Sequence, residues 1–210
     1  MSGLALAAPA QQWGSPMSAA EQASERLPAA PRATWLGRRE GALVRAAQNG
    51  SEDALEELFR RHWRPAHRAA YLIVHDSAAA EDIAQESFLA AIRALDRFDR
   101  RRPFGPWLHR ITVNRAIDFS RSRRIRSEVG IPPGLEGEAA PPAQPELSDE
   151  LLAALAGLGP EQRAVVVLRH LLGYTPSEIG EMLEMPRGTV NSRLRRALDR
   201  LRPLVEEGEG

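Results

Sequence analysis

Arg187, Arg193, Arg195 and Arg196 stand close together near the C-terminus, with Thr189, Asn191 and Ser192 between them. Guanidinium forks, hydroxyls and a carboxamide bond phosphates and the edges of paired bases, and Asn can engage adenine through two bonds at once. A second set, Trp107, Arg110, Asn114 and Arg121, shares one helical face. Cations interleaved with an aromatic and an amide suit a single-stranded backbone with unstacked bases, although Trp107 fits a core position equally well. A third feature is Leu89, which shares the polar side of its helix with Asp82, Gln85 and Glu86. An apolar side chain among acids could anchor a partner helix, or be an ordinary surface leucine.

All of this is the chemistry of binding. His62 and His67 are five residues apart, about 140° around a helix, so they cannot share a metal as an i, i+4 pair does. No Gly-rich phosphate loop, nucleophile elbow or pair of catalytic carboxylates is present. The absence of Cys excludes a disulfide framework and a thiolate metal site. The expectation is a protein that is not an enzyme and uses no cofactor or metal.

The formal net charge of +0 conceals segregation. Residues 100–126 carry nine Arg against Asp118, a balance of +8; residues 127–150 carry six acids and no base; residues 186–203 carry six Arg against Asp199, a balance of +5. Two basic blocks flanking an acidic strip are the electrostatic footprint of a nucleic-acid binder with two contact surfaces. Every basic residue is Arg, which favours phosphate recognition but also follows from GC-rich coding.

The elements that must position these groups read as helices. Residues 1–36 are rich in Ala, Pro, Gln and Ser without a lasting period and are expected to be disordered. Helical spacing runs from Leu43 to about Arg124, including a stripe of Ile83, Ala84, Phe88, Ala91, Ile92, Leu95 and Phe98. A further helix from Pro106 to about Arg121 turns Leu108, Ile111, Thr112 and Phe119 inward, while Arg115 and Ile117 fit its wheel poorly. Residues 127–146 hold five Pro and three Gly and read as a linker, with a root-mean-square span of roughly 25 Å. Helical periodicity then resumes, punctuated by Ser148 as an N-cap, by Gly159-Pro160, and by Thr175-Pro176-Ser177-Glu178 as a capping box. A short helix over 176–183, a turn over 184–186 and a longer helix from Arg187 make a helix-turn-helix. Val190, Leu194, Ala197, Leu198 and Leu201 form its apolar side, Ser192, Arg195, Arg196 and Asp199 lie opposite, and Asn191 is at the border. The predicted fold is all-α: two helical modules, 37–126 and 147–205, joined by a flexible acidic tether at 127–146, with a tail over 206–210. No run of eighteen apolar residues exists, so no membrane insertion is expected. Met1–Trp13 lacks a basic n-region, which predicts a cytoplasmic location.

Two blocks of residues resemble a family. Asp82-Ile83-Ala84-Gln85-Glu86-Ser87-Phe88, Ala94-Leu95-Asp96-Arg97-Phe98 and Pro103-Phe104-Gly105-Pro106-Trp107-Leu108-His109-Arg110-Ile111-Thr112-Val113-Asn114 look like region 2 of bacterial sigma factors of the extracytoplasmic-function (ECF) group, within the sigma-70 family. Leu158-Gly159-Pro160-Glu161-Gln162-Arg163, Gly173-Tyr174-Thr175-Pro176-Ser177-Glu178-Ile179-Gly180 and Pro186-Arg187-Gly188-Thr189-Val190-Asn191-Ser192-Arg193-Leu194 look like region 4. The resemblance implies binding to core RNA polymerase at its beta-prime clamp and beta flap, promoter recognition, DNA opening, and control by an anti-sigma protein. Residue by residue, it implies polymerase docking by Asp82, Gln85, Glu86 and Leu89. It implies minus-10 contacts by Phe98, Arg101, Phe104, Trp107, Arg110, Asn114 and Arg121, with the loop Phe98 to Gly105 capturing a flipped non-template base. It implies minus-35 contacts by Arg187, Thr189, Asn191, Ser192, Arg193, Arg195 and Arg196. Family members often carry a basic residue at the position of Asn191, and the N-terminal extension departs from the family pattern. A free-standing helix-turn-helix regulator is the other reading the residues allow.

Overall fold

A computed structural model describes residues 37–129 and 149–207. The expected N-terminal disorder, most of the tether with its acids Glu136, Glu138 and Glu146, and the Ser148 cap lie outside the described residues. The described residues form α-helices and contain no strand. The first module comprises α1 (Gly37–Gln48), α2 (Glu52–Val74), α3 (Ser77–Ala94) with a 3-10 turn at Leu95–Arg97, and α4 (Phe104–Glu128). The second comprises α5 (Asp149–Ala156), α6 (Pro160–Val166) running into a π turn at Val167–Leu171, α7 (Pro176–Met182) and α8 (Arg187–Glu207).

Local chemistry sets the starts of these helices. Ser51 Oγ accepts from Ala54 N–H at 3.3 Å, and Asp76 Oδ1 accepts from Ala79 N–H at 2.9 Å, each satisfying a donor the helix itself cannot. The capping box at Thr175 forms as expected: Glu178 N–H donates to Thr175 Oγ1 at 3.3 Å and Thr175 N–H to Glu178 Oε2 at 2.7 Å. α4 and α8 each run two residues beyond the module ends read from the sequence, taking 127–128 from the tether and 206–207 from the tail.

The modules share a core. Ala69–Val74 of α2 and Val113, Ala116 and Ile117 of α4 pack with Leu155, Leu158, Val165 and Leu168 of the second module in one apolar cluster. A separate cluster inside the first module gathers Val44, Leu58, Phe88, Leu95, Phe98, Phe104 and Leu108. α4 is therefore buried on two sides, which explains why Ile117 did not fit a single-faced wheel. The stripe on α3 is buried apart from Ile92, which is exposed.

Polar contacts fasten the seam between modules. His109 Nδ1 lies 2.8 Å from the Tyr174 hydroxyl. Burial drives the His109 pKa down to about 3, with a smaller push from His62, and drives that of Tyr174 up; both rings are thus neutral near pH 7. Arg163 of α6 donates to the carbonyls of Ile73, Ala156 and Leu158. Burial lowers its pKa to about 10, so it stays charged.

Candidate nucleic-acid interface

α7, its turn and α8 build the first surface. Met185 N–H donates to Gly180 O at 2.9 Å, closing the turn onto α7. A side chain at Gly180 would stand 2.7 Å from Met185 O, so only glycine admits this approach. Glu184 takes φ +54 at the bend. Ile179, Val190, Leu194, Ala197 and Leu201 are buried beneath. Arg187, Asn191, Arg195 and Arg196 are exposed along α8, while Thr189, Ser192 and Arg193 are half-buried at its edge. The Ser192 hydroxyl donates back to Thr189 O at 2.9 Å. Arg195 and Arg196 have no carboxylate partner among the described residues.

The second surface is α4 with the loop before it. Phe98 and Phe104 are 8% and 3% exposed, so both belong to the core in this conformation rather than to an open base-binding surface. Trp107 is half-buried: it stacks on Phe98 at 4.5 Å and meets Phe104 edge-on at 5.6 Å. These three rings pack on one another beside the loop, on which Arg101 is exposed. Asn114 is half-buried. Arg110 is ion-paired with Glu184 of the second module. Arg121 donates to Glu161 at 2.7 Å, again across the seam, and lies 3.6 Å from Asp118. The set read as one face is thus brought together, but its two outer cations are held by the other module.

On α3, Asp82, Gln85 and Glu86 are exposed and Leu89 is 48% exposed among them. Glu86 accepts from Arg115 at 3.2 Å. An apolar groove runs from this helix to α2, lined by Leu55, Phe59, Phe88 and Ile92.

Sequence reasoning missed the residues that hold the loop. Glu40 and His62 are both buried, with His62 Nε2 donating to Glu40 Oε1 at 2.8 Å. Glu40 Oε2 accepts from Phe104 N–H at 3.0 Å. Burial alone would raise the Glu40 pKa, but the His62 bond and charge, the Phe104 amide and Arg61 together hold the carboxyl below its usual range. A signal was present: Glu40 shares an i, i+4, i+7 register with Val44 and Ala47, and His62 one with Leu58, Ala66 and Ala69, so each is a polar residue on an apolar face.

Family models for Sigma-70 region 2 and Sigma-70, region 4 match residues 58–125 and 148–201. ECF RNA polymerase sigma factor SigM of Mycobacterium tuberculosis is 37% identical over 169 residues, covering 80% of this chain and 85% of that protein. The chain belongs to the sigma-70 family, in its ECF group. RNA polymerase sigma factor CarQ of Myxococcus xanthus is 34% identical over 169 residues, 77% of this chain and 95% of that protein. The solved structure of CnrH in complex with the cytosolic domain of CnrY superimposes with a TM-score of 0.59 at 27% identity, covering 80% of this chain and 97% of that one. Matches to both regions in order set the sigma factor apart from a free-standing helix-turn-helix regulator. No described helix is long and apolar enough to cross a membrane. α1 precedes the residues matched to region 2.

Proposed function

We propose that this RNA polymerase sigma factor divides promoter recognition between its modules. Residues 37–126 act as the polymerase-docking, minus-10 and melting unit, 127–146 as the tether, and 147–205 as the minus-35 unit. Asp82, Gln85, Glu86 and Leu89 dock on the beta-prime clamp, where the apolar side chain gives contact area and the acids give orientation. Arg195, Asn191 and Ser192 read minus-35 base edges, with Thr189 beside them, while Arg187, Arg193 and Arg196 hold phosphates. Arg101, Trp107, Arg110, Asn114 and Arg121, with Phe98 and Phe104 beneath them, stabilise the separated minus-10 strand. This shifts an opening equilibrium that costs a few kcal/mol per extruded base. No bond is made or broken by the sigma factor; the polymerase is the enzyme, and the site of action is the cytoplasm. CnrH was solved in complex with the cytosolic domain of CnrY, and for this chain a regulatory anti-sigma protein that covers the DNA and polymerase surfaces is proposed.

The observation that supports this reading is the pairing, on one chain, of a helix with Arg187, Asn191, Arg195 and Arg196 exposed along it and a second arginine-lined helix that begins beside stacked aromatic rings. Run-off transcription with core polymerase and a promoter library tests it, alongside Asn114→Ala and Arg195→Ala. Each variant should lose transcription, the first at strand opening and the second at duplex binding; full activity in both would reject the assignments.

A further inference from the structure

We propose that α1 is a brace for the loop between α3 and α4, with Glu40 and Gln48 as positioning residues for base capture. The inference rests on the proposed role of that loop in holding a flipped base. α4 begins at Phe104 behind Pro103, a residue with no side-chain oxygen to cap the helix, and no side-chain cap bond forms there. The carboxylate of Glu40 supplies the missing cap from another helix, accepting the Phe104 N–H at 3.0 Å and placing negative charge at the positive end of α4. At the other end of the loop, the 3-10 turn closes with Phe98 N–H donating to Leu95 O at 2.9 Å, and a side chain of α1 adds to this closure. Gln48 Nε2 donates to Leu95 O at 3.0 Å and to Phe98 O at 3.0 Å. One short helix therefore fastens both ends of the loop, through side chains two turns apart.

The contacts between these ends are equally close. A side chain at Gly41 would meet Arg100 O at 3.5 Å, so α1 runs directly beneath the loop. His62 bonds Glu40 with one nitrogen and presses its ring against Phe104 and the Gly105 position, where a side chain would stand 3.2 Å from His62 Cε1. Only Asp99, Arg100, Arg101, Arg102 and Pro103 of the loop are exposed. Loosening either fastening therefore moves Arg101 and the Phe98, Phe104 and Trp107 rings relative to each other, and misplacement by about 1 Å is enough to cost up to 10²-fold in a preorganised site.

The test uses holoenzyme assembled with Glu40→Ala, Gln48→Ala or Glu40→Gln, the last of which keeps an oxygen to accept from Phe104 N–H. Binding is measured to forked promoter probes, each lacking one base of the minus-10 non-template strand, next to the intact probe. Wild type should weaken sharply on losing the captured base. Glu40→Ala and Gln48→Ala should cut that discrimination about tenfold, with affinity for core polymerase and for a minus-35 duplex changed less than twofold, and Glu40→Gln should recover most of it. Unchanged discrimination in both alanine variants would overturn the brace while leaving base capture intact. So would a parallel fall in polymerase, duplex and fork binding in both, which is mere loss of fold. A wild-type chain indifferent to every missing base would overturn the base-capture reading and the brace with it.

Discussion

Arg195 and Arg196 of α8 and Arg110, Arg115 and Arg121 of α4 are in opposite situations. Arg195 and Arg196 are exposed on α8 with no carboxylate partner among the described residues, whereas Arg110, Arg115 and Arg121 on α4 are each paired with an acid, two of them across the module seam. The rings that would meet an unpaired base are likewise packed under the loop. On the proposed division, duplex reading asks only for an exposed face, which α8 has, whereas the proposed strand-reading face of α4 has Arg110 and Arg121 engaged by the second module. The contrast suits the order of events at a promoter, where paired DNA is met before any base is extruded.

The largest effect that would break this contrast is on α8. Arg195→Ala should weaken minus-35 duplex binding by about 1–3 kcal/mol, roughly 5- to 150-fold, and relax preference at one base pair. Arg196→Ala should weaken all duplexes alike and lower the salt slope by about one. Neither should alter binding to a minus-10 single strand, measured by fluorescence anisotropy; equal losses on both probes would mean the surfaces are not separate.

Next in size is the seam itself. Tyr174→Phe leaves His109 Nδ1 buried without a partner and should cost about 1–3 kcal/mol in denaturant unfolding. The pH dependence has a defined sign. His109 titrates near 3 when folded against 6.5 ordinarily, so below pH 6.5 the unfolded chain takes up a proton that the folded chain refuses. Stability from this group is complete above pH 6.5 and falls toward pH 3, by at most about 1.4 kcal/mol per pH unit. His109→Gln should flatten that slope; an unchanged slope would show that His109 does not report on the seam.

Legibility in the sequence divides along the same line. The capping box at Thr175, the turn over 184–186 and the two-sided pattern of α8 are local, and local chemistry decides them; that half was readable. α4 was readable in part. Leu108 and Thr112 are buried as expected, but Val113, Ala116 and Ile117 face a second body that a single-helix wheel does not contain. The acids that hold Arg110 and Arg121 are 74 and 40 residues away in the chain, where periodicity carries no information. Phe98 met two expectations at once, a place in the apolar stripe and a place in base contact, and the structure puts it in the stripe. Glu40 and His62 were legible one at a time as polar residues on apolar faces, but that they satisfy each other needed the packing of α1 on α2.

The smallest expected effect is also the most selective. Ion pairs as exposed as Arg110–Glu184 and Arg121–Glu161 contribute little to stability, so Glu161→Gln with Glu184→Gln should leave unfolding nearly unchanged. The same substitutions free Arg110 and leave Arg121 with Asp118 alone on the proposed strand-reading face, and the free chain should bind a minus-10 single strand about two- to fivefold more tightly at low salt, with the gain fading as salt rises. Duplex binding through α8 should stay as it was. If polymerase binding parts the modules, the gain should vanish in the holoenzyme, because the pairs would already be open there. A gain that persisted in the holoenzyme would mean the two acids act on DNA directly, and the seam would lose its standing as the source of the difference between α4 and α8.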